Sequence, residues 1–157
     1  MISGIEVTGT KELQDILARL GDAAPDKLGD ALYRQAEFIM TEAKRQTPVD
    51  TGSLRASGHV EPPVVNGTQV SVMLGFGGVA GGQMNNEQGP VGPGQFLTSQ
   101  GTREPGQYAI YVHENLNAQH PSGNAKFLEN PMLATELSLS SKLATDLKID
   151  LEGMAAR

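Results

Sequence analysis

Cysteine and tryptophan are absent from this 157-residue chain, and aromatic residues make up only 4% of it. Without cysteine there is no disulfide framework, no thiol nucleophile and no cysteine-ligated metal or iron–sulfur site. With so few aromatic rings, the core has to be built mainly from leucine, isoleucine, valine, alanine and methionine. The length suits one domain, and we expect residues 1–157 to form it.

Long apolar runs and an excess of basic residues are also missing. No stretch approaches the roughly 18 apolar residues of a membrane span. The first residues, Met1 to Glu6, lack the basic start and apolar run of a signal peptide. The formal net charge of −6 disfavours the basic surface with which nucleic-acid-binding proteins contact phosphates. We therefore expect no membrane segment and no specific binding of nucleic acid.

Hydrophobic periodicity predicts an α+β fold, in which an antiparallel sheet of about four strands packs against two or three helices. Capping residues, glycines and prolines mark the helix boundaries, and alternating apolar residues mark the strands. In chain order, the predicted elements are a strand at 5–7, a helix between Thr10 and Gly21, a helix from Pro25 to Thr47-Pro48, strands at 60–65 and 70–76 joined by Asn66-Gly67, a strand at 108–113, and a helix from Pro131.

The composition changes abruptly at Gly77. From there to Gln107 the chain carries nine glycines and three prolines, which predicts an extended loop at 77–107. A loop this long is unusual in a compact domain, and it is either a passive insertion or an arm that becomes ordered against a partner. In the second interpretation Phe96 and Leu97, the only adjacent large apolar pair of the loop, anchor it on a neighbouring subunit.

The sequence Asp50-Thr51-Gly52-Ser53 matches the active-site motif of aspartic proteases. In the dimeric enzymes of this class each subunit contributes one such aspartate, and the two aspartates share a proton. Residues 72–75 also match the apolar segment that follows in those enzymes. However, the protease motif follows a hydrophobic strand in an all-β fold, whereas here a charged amphipathic helix comes first. In the structural interpretation, Asp50 caps backbone N–H groups after a turn, and Gly52 supplies conformational freedom.

His113, Glu114 and His120 form the other candidate for chemistry, because two histidines and a glutamate can bind zinc. The histidines are seven residues apart, so one helical face cannot present both. The alternative is one histidine at the end of a strand and another on a surface loop. A dimeric aspartic protease and a metal-dependent hydrolase are therefore the enzymatic alternatives. Neither catalytic nor metal-binding residues are assigned, and no cofactor is expected.

Two blocks of sequence carry a combination of motifs with a consistent order and spacing. The first is a helix at 28–45 that runs into Thr47-Pro48-Val49-Asp50-Thr51-Gly52-Ser53-Leu54-Arg55. The second is Tyr108-Ala109-Ile110-Tyr111-Val112-His113-Glu114, followed by His120-Pro121 and by Ala125-Lys126-Phe127-Leu128-Glu129-Asn130-Pro131. Together they resemble the small tail-component proteins of long-tailed double-stranded DNA bacteriophages, which are also called neck, tail-completion or minor capsid proteins.

The resemblance implies a structural virion protein of the head–tail neck that has no catalytic activity. It implies an α+β protomer that forms a ring around the DNA channel, with a hexamer preferred and a dodecamer as the alternative. Expected partners are other copies of the chain, the head connector or stopper, and the tail terminator or tail tube. Double-stranded DNA is expected to pass through the ring without specific binding. Assembly is expected in the cytoplasm of the bacterial host.

The two blocks also supply candidate structural residues. Residues expected to form the turn after the second helix are Pro48, Asp50, Thr51, Gly52 and Leu54. Arg55 is then placed to bind a carboxylate across the ring interface, and the alternative is an Arg55 that is exposed or makes contacts within its own chain. Phe127 and Leu128 are expected to anchor the C-terminal helix in the core, while Lys126 and Glu129 face outward.

Overall fold

The computed structural model describes residues 11–48, 52–76, 96–98, 101–103, 109, 112–117 and 122–156. The helices are α1 (Lys11–Leu20), α2 (Ala24–Gln46), α3 (Ser53–Ala56) and α4 (Glu129–Ala155), with a 3-10 turn at Gly21–Ala23. The strands are β1 (His59–Val60), β2 (Val64–Asn66), β3 (Gln69–Ser71), β4 (Leu74–Gly75), β5 (Phe96–Thr98) and β6 (Gly101–Arg103). These elements confirm the α+β class.

Helix α1 ends at the predicted glycine, and α2 begins beside the predicted proline. Gly21 has a φ of 55°, a left-handed conformation that glycine adopts without strain, and it separates the two helices. Pro25 lies in the first turn of α2, where its missing N–H costs no hydrogen bond. The helix stops at Gln46 because the residue before Pro48 is pushed out of the helical region.

The strands are shorter than predicted, and they form two-stranded pairs instead of one sheet of about four strands. Strand β1 pairs with β4, β2 with β3, and β5 with β6. The predicted strand at 60–65 is interrupted by Pro62 and Pro63, which have no N–H to donate to a ladder. The predicted strand at 70–76 is likewise divided into β3 and β4.

The hairpin predicted at Asn66-Gly67 is confirmed. Strands β2 and β3 are antiparallel, with Val65 opposite Val70 and Asn66 opposite Gln69. Gly67 has a φ of 61°, as the first loop residue of a tight hairpin turn requires.

Two other segments differ from the predictions. Strands β5 and β6 pair antiparallel inside the Gly/Pro-rich segment, where the composition predicts no strand. The predicted strand at 108–113 is wrong in its described part, because Ala109 and residues 112–114 are helical. Ala109, Val112 and His113 are buried, and packing of this kind overrides the β-propensity of the segment.

Several predicted features lie outside the described residues. They are the strand at 5–7, the cap at Thr10, the turn residues Asp50 and Thr51, His120, and most of the loop at 77–107. Within the part of the chain that is described, no helix combines the length and the apolar character that crossing a membrane requires.

The described residues fall into two compact units. Among the described residues, the first unit takes those within 39–59 and 74–131, and the second takes those within 11–38, 60–73 and 132–156. In the second unit, buried side chains of α1, α2 and α4 form a core whose members are Leu13, Ile16, Leu20, Ala31, Leu139, Leu143, Ala144 and Leu147.

Polar contacts between α2 and α4 flank the core of the second unit. Arg34 forms ion pairs with Asp146 at 3.7 Å and Asp150 at 3.4 Å. The side-chain amide of Gln35 donates to Asp146 Oδ2 at 3.0 Å. Lys142 lies over the ring of Phe38, with its Nζ 4.8 Å from the ring centroid. These contacts hold α4 against α2 at the partly exposed edge of the helix interface.

Candidate functional site

The end of α2 is capped by two distant parts of the first unit. The backbone N–H of Asn124 donates to the Gln46 carbonyl at 2.8 Å, and Arg55 Nη2 donates to the Thr47 carbonyl at 3.0 Å. Thr47 is itself buried, and its hydroxyl donates to the Ala43 carbonyl at 2.7 Å. Because the last carbonyl groups of a helix have no partners within it, these bonds complete the helix end.

Within the part of the chain that the structure describes, Arg55 therefore binds a backbone carbonyl of its own chain. Its positive charge lies at the C-terminus of α2, where the helix dipole favours a cation. Its Nε atom is buried and has no hydrogen-bond partner among the described residues. A contact of Arg55 across a ring interface stays a prediction.

Gly123 is required where the chain passes the end of α2. It has a φ of 86°, and a Cβ at this position would lie 2.5 Å from the Pro48 nitrogen and 2.7 Å from the Gln46 carbonyl oxygen. No side chain fits there without moving the backbone of the turn. No local signal in the sequence predicts this requirement, because it comes from a contact with a distant segment.

Three of the predicted turn residues, Pro48, Gly52 and Leu54, lie within the described part of the chain. Pro48 and Leu54 are buried, and Gly52 has a φ of 80° in open space. Helix α3 lies beside β5, the strand that contains Phe96 and Leu97. The described residues thus bring the first motif block next to the hairpin of the Gly/Pro-rich segment.

Side chains from the second motif block meet in what we call the His113 cluster, consisting of His113, Glu114, Lys126, Phe127 and Glu129. Phe127 is 0% exposed and His113 is 1% exposed. Their rings pack edge to face, with centroids 5.1 Å apart at an angle of 85°. The other side of Phe127 packs in the same way on Phe76, at 5.0 Å. Such pairs favour one relative arrangement of the segments that carry them.

Both ring nitrogens of His113 have partners. Nδ1 lies 2.7 Å from Glu114 Oε1, and Nε2 accepts a hydrogen bond from the Glu129 backbone N–H at 3.4 Å. Because Nε2 faces a donor, the ring proton belongs on Nδ1 and is donated to the carboxylate of Glu114. The imidazole thus also caps the first turn of α4.

Lys126 completes the cluster. Its ammonium group donates to Glu114 Oε2 and pairs with Glu129 Oε2, the latter at 2.8 Å. Its backbone N–H donates to the His113 carbonyl at 2.8 Å. Lys126 has a φ of 56°, an uncommon conformation for a residue other than glycine. The hydrogen bonds at both ends of the residue hold it there.

The charges of the cluster shift two pKa values. The hydrogen bond from Lys126, and secondly that from His113, lowers the pKa of Glu114 below its ordinary value of 4.5. The hydrogen bonds to Glu114 and then Glu129 raise the pKa of Lys126 above 10.5. Glu114 and Lys126 are therefore both charged across the neutral pH range.

His113, Glu114 and Glu129 also place three potential metal-ligand atoms within 4.8 Å of one another. However, the Lys126 ammonium already bridges the two carboxylates, and both ring nitrogens of His113 are engaged. A divalent ion would have to displace these partners. The cation that the carboxylates bind in this structure is the lysine of the same chain.

A cavity of about 240 Å³ lies in the second unit. Two of its three hydroxyl groups are engaged with the backbone: Ser138 donates to the Thr135 carbonyl and Thr145 to the Ser141 carbonyl. The residues lining the cavity are Gln35, Ser138, Ser141, Lys142, Thr145 and Asp146. This lining contains no histidine beside a hydroxyl group, the arrangement that most often activates a serine or threonine nucleophile.

The family model described as "Bacteriophage HK97-gp10, putative tail-component" matches residues 11–114, more than half of the chain. The chain belongs to this HK97 gp10-like family. It is thus related to a structural tail component of a bacteriophage, and its expected location is the virion. No curated protein and no solved structure matches the chain.

The family match spans the capped end of α2 and reaches Glu114. It confirms the resemblance that the two motif blocks indicate. Lys126, Phe127 and Glu129 follow the matched segment, yet they contact His113 and Glu114. The first residues of α4 are therefore joined to the end of the family region by the His113 cluster.

Proposed function

We propose that this tail component is a structural subunit of the head–tail neck, where copies of it form a ring around the DNA channel and join head to tail. The observation that carries the proposal is the family match over residues 11–114. A hexamer is preferred and a dodecamer is the alternative. The proposed partners are the head connector or stopper on one side and the tail terminator or tail tube on the other.

The use of the motif residues supports a structural role. Arg55 and Asn124 cap α2, and His113 caps α4. Each of these side chains or backbone groups makes a hydrogen bond within the chain and so stabilises the protomer. A ring subunit needs well-ordered helix ends and surfaces for its neighbours, and these hydrogen bonds support the first requirement.

Charge and surface composition agree with this role. A net charge of −6 allows DNA phosphates to pass without being held. The second unit also exposes large apolar side chains, including Leu133 at 54%, Leu137 at 95% and Met73 at 56%. Exposed apolar groups of this size are available for contacts between subunits.

Disruption of the gene in the phage tests this function. We expect infected cells to contain DNA-filled heads and complete tails that are not joined, and expression of the intact protein to restore joined particles. Normal joined particles in the disrupted phage would contradict the proposal. So would the loss of heads or of tails, since that would indicate an earlier role in assembly.

The proposed absence of catalysis has its own test. The purified chain is incubated with a mixture of unstructured peptides, and the Asp50→Asn variant serves as the matched control. We expect no cleavage by either protein. Cleavage by the original chain that Asp50→Asn abolishes would instead support the dimeric aspartic protease.

A further inference from the structure

The tip of the β2–β3 hairpin combines two residues with a known mutual reactivity. Asn66 is the one asparagine of the chain that is followed by glycine. An asparagine side chain can be attacked by the backbone nitrogen of the next residue, and glycine leaves that nitrogen unshielded because it has no side chain. The last residue of β2 and the first residue of the loop thus form a reactive pair.

The hairpin leaves this pair accessible. Asn66, Gly67 and the loop residue Thr68 are all exposed. Asn66 and Gln69 form the last pair of the ladder, so the Gly67 N–H lies in the loop, outside the pairing. The strands contain three residues each, and Val70 lies near Gly29 of α2, so the terminal pair of Asn66 and Gln69 is the least restrained part of the hairpin. Opening of the tip therefore allows the Asn66 backbone to rotate into a reactive geometry.

We propose that Asn66-Gly67 is a site of spontaneous deamidation. The Gly67 nitrogen bonds to Cγ of the Asn66 side chain and closes a succinimide ring. The bond from Cγ to the side-chain nitrogen breaks, and ammonia leaves with the proton from Gly67. Water then opens either ring carbonyl and gives aspartate or isoaspartate at position 66. No oxidation or reduction takes place, and no enzyme is needed.

Either product changes the hairpin. Both add one negative charge to a chain whose net charge is already −6. Isoaspartate also inserts a methylene group into the backbone next to Gly67, which disturbs the register that pairs Val65 with Val70. A protein in a virion is not replaced by synthesis, so the modification would accumulate as the particle ages. The chemistry itself does not depend on the proposed function.

The experiment incubates the purified full-length chain in mildly alkaline and mildly acidic buffer and follows each asparagine by peptide mapping with fragment-ion mass spectrometry. Asn124 is the internal control, because it is exposed but is followed by alanine. We expect conversion at Asn66 to be roughly tenfold faster than at Asn124, and faster in alkaline buffer, since the methyl group of alanine shields the attacking nitrogen. Conversion at Asn66 that is no faster than at Asn124 would overturn the proposal.

The Asn66→Gln variant provides a second readout. The longer side chain would have to close a six-membered ring, so labelling by an isoaspartyl methyltransferase should fall to the background level. Circular dichroism compares the folding of the two proteins. Persistent labelling of Asn66→Gln in the peptide that contains position 66 would contradict the assignment of the site.

Discussion

At the scale of single residues, Gly123 and Gly153 differ in the space that is available for a side chain. A Cβ at Gly123 would collide with the backbone of Pro48 and Gln46, and its φ of 86° disfavours any other residue. Gly153 lies in α4, and a Cβ added there would point into open space. The same change from glycine to alanine should therefore have opposite effects at the two positions.

We expect Gly123→Ala to reduce the free energy of unfolding by about 2 kcal/mol or more, because both the clash and the backbone strain act on the native state. Gly153→Ala should raise it by about 0.5 kcal/mol or less, through higher helix propensity near a helix end. Urea denaturation measures both. If Gly123→Ala were as stable as the original chain, the contact with the end of α2 would be wrong.

Glu114 gives the His113 cluster a pH dependence of defined sign. Its pKa is lowered in the folded protein, so its contribution to stability is present above 4.5 and is lost as the pH falls through the lowered value. Lys126, whose pKa is raised, loses its contribution only as the pH rises through a value above 10.5. The ion pairs of the cluster should therefore stabilise the protein most between pH 4.5 and pH 10.5.

The expected result is that Glu114→Gln lowers stability at neutral pH and that the difference from the original chain shrinks as the pH falls below 4.5. Urea denaturation over a series of acidic and neutral buffers measures the difference. Glu136→Gln, which removes the same charge from an exposed position of α4, is the control. A difference between Glu114→Gln and the original chain that stayed constant with pH would argue against the ion pair with Lys126.

At the scale of elements, Arg55 links α3 to the end of α2. Arg55→Ala should lower the free energy of unfolding of the isolated chain by about 1–2 kcal/mol, because a half-buried charged hydrogen bond to the Thr47 carbonyl is lost. Arg45→Ala is the matched control, since Arg45 pairs with Glu42 at an exposed position, and it should change stability by about 0.5 kcal/mol or less. Urea denaturation compares the two variants.

The alternative role of Arg55 has a different signature. If Arg55 acts mainly across a ring interface, Arg55→Ala leaves the isolated chain as stable as before and impairs only assembly. Analytical ultracentrifugation of the purified variant, together with complementation of the disrupted phage, separates these outcomes.

Phe127 connects the start of α4 with the segment that carries His113. Phe127→Ala should cost about 3–5 kcal/mol, because it removes a fully buried ring that packs on two others. Leu137→Ala, at a position of α4 that is 95% exposed, should change stability by about 0.5 kcal/mol or less. Thermal and urea unfolding provide the comparison. Similar values for the two variants would mean that Phe127 does not anchor α4.

The sequence predicts the helices better than the strands, for a physical reason. Helices α1 and α2 follow from local signals: the spacing of apolar residues, Gly21, Pro25 and Pro48. The segment at 108–113 has the composition of a strand, but Ala109 and residues 112–114 are helical because burial decides there. Strand length likewise depends on partners that the local sequence does not reveal.

In the candidate site, too, the local sequence predicts some features, whereas others depend on contacts with distant segments. The family motifs select Leu54, Phe127 and Leu128 as apolar residues, and all three are buried. The requirement for Gly123 arises from the approach of a distant helix end. The bridging position of Lys126 depends on the turn that brings it to Glu114. No local pattern predicts either contact.

At the scale of the whole molecule, the family match and the sequence motifs lead to the same class of protein. The match covers residues 11–114, and the second motif block continues beyond it into α4. Membership in a phage tail-component family indicates a structural role in the virion. The position in the neck and the ring are proposals that depend on the neighbours of the protein in the particle.

A reconstruction of the intact virion by electron cryomicroscopy tests the central claim most directly. The proposed function predicts density for this chain in the neck, between the head connector and the tail tube, as a closed ring of preferably six copies around the DNA channel. The α2–α4 pair and the β2–β3 hairpin should be recognisable in each copy. One or two copies away from the channel axis, or density for the chain only elsewhere in the tail, would contradict it.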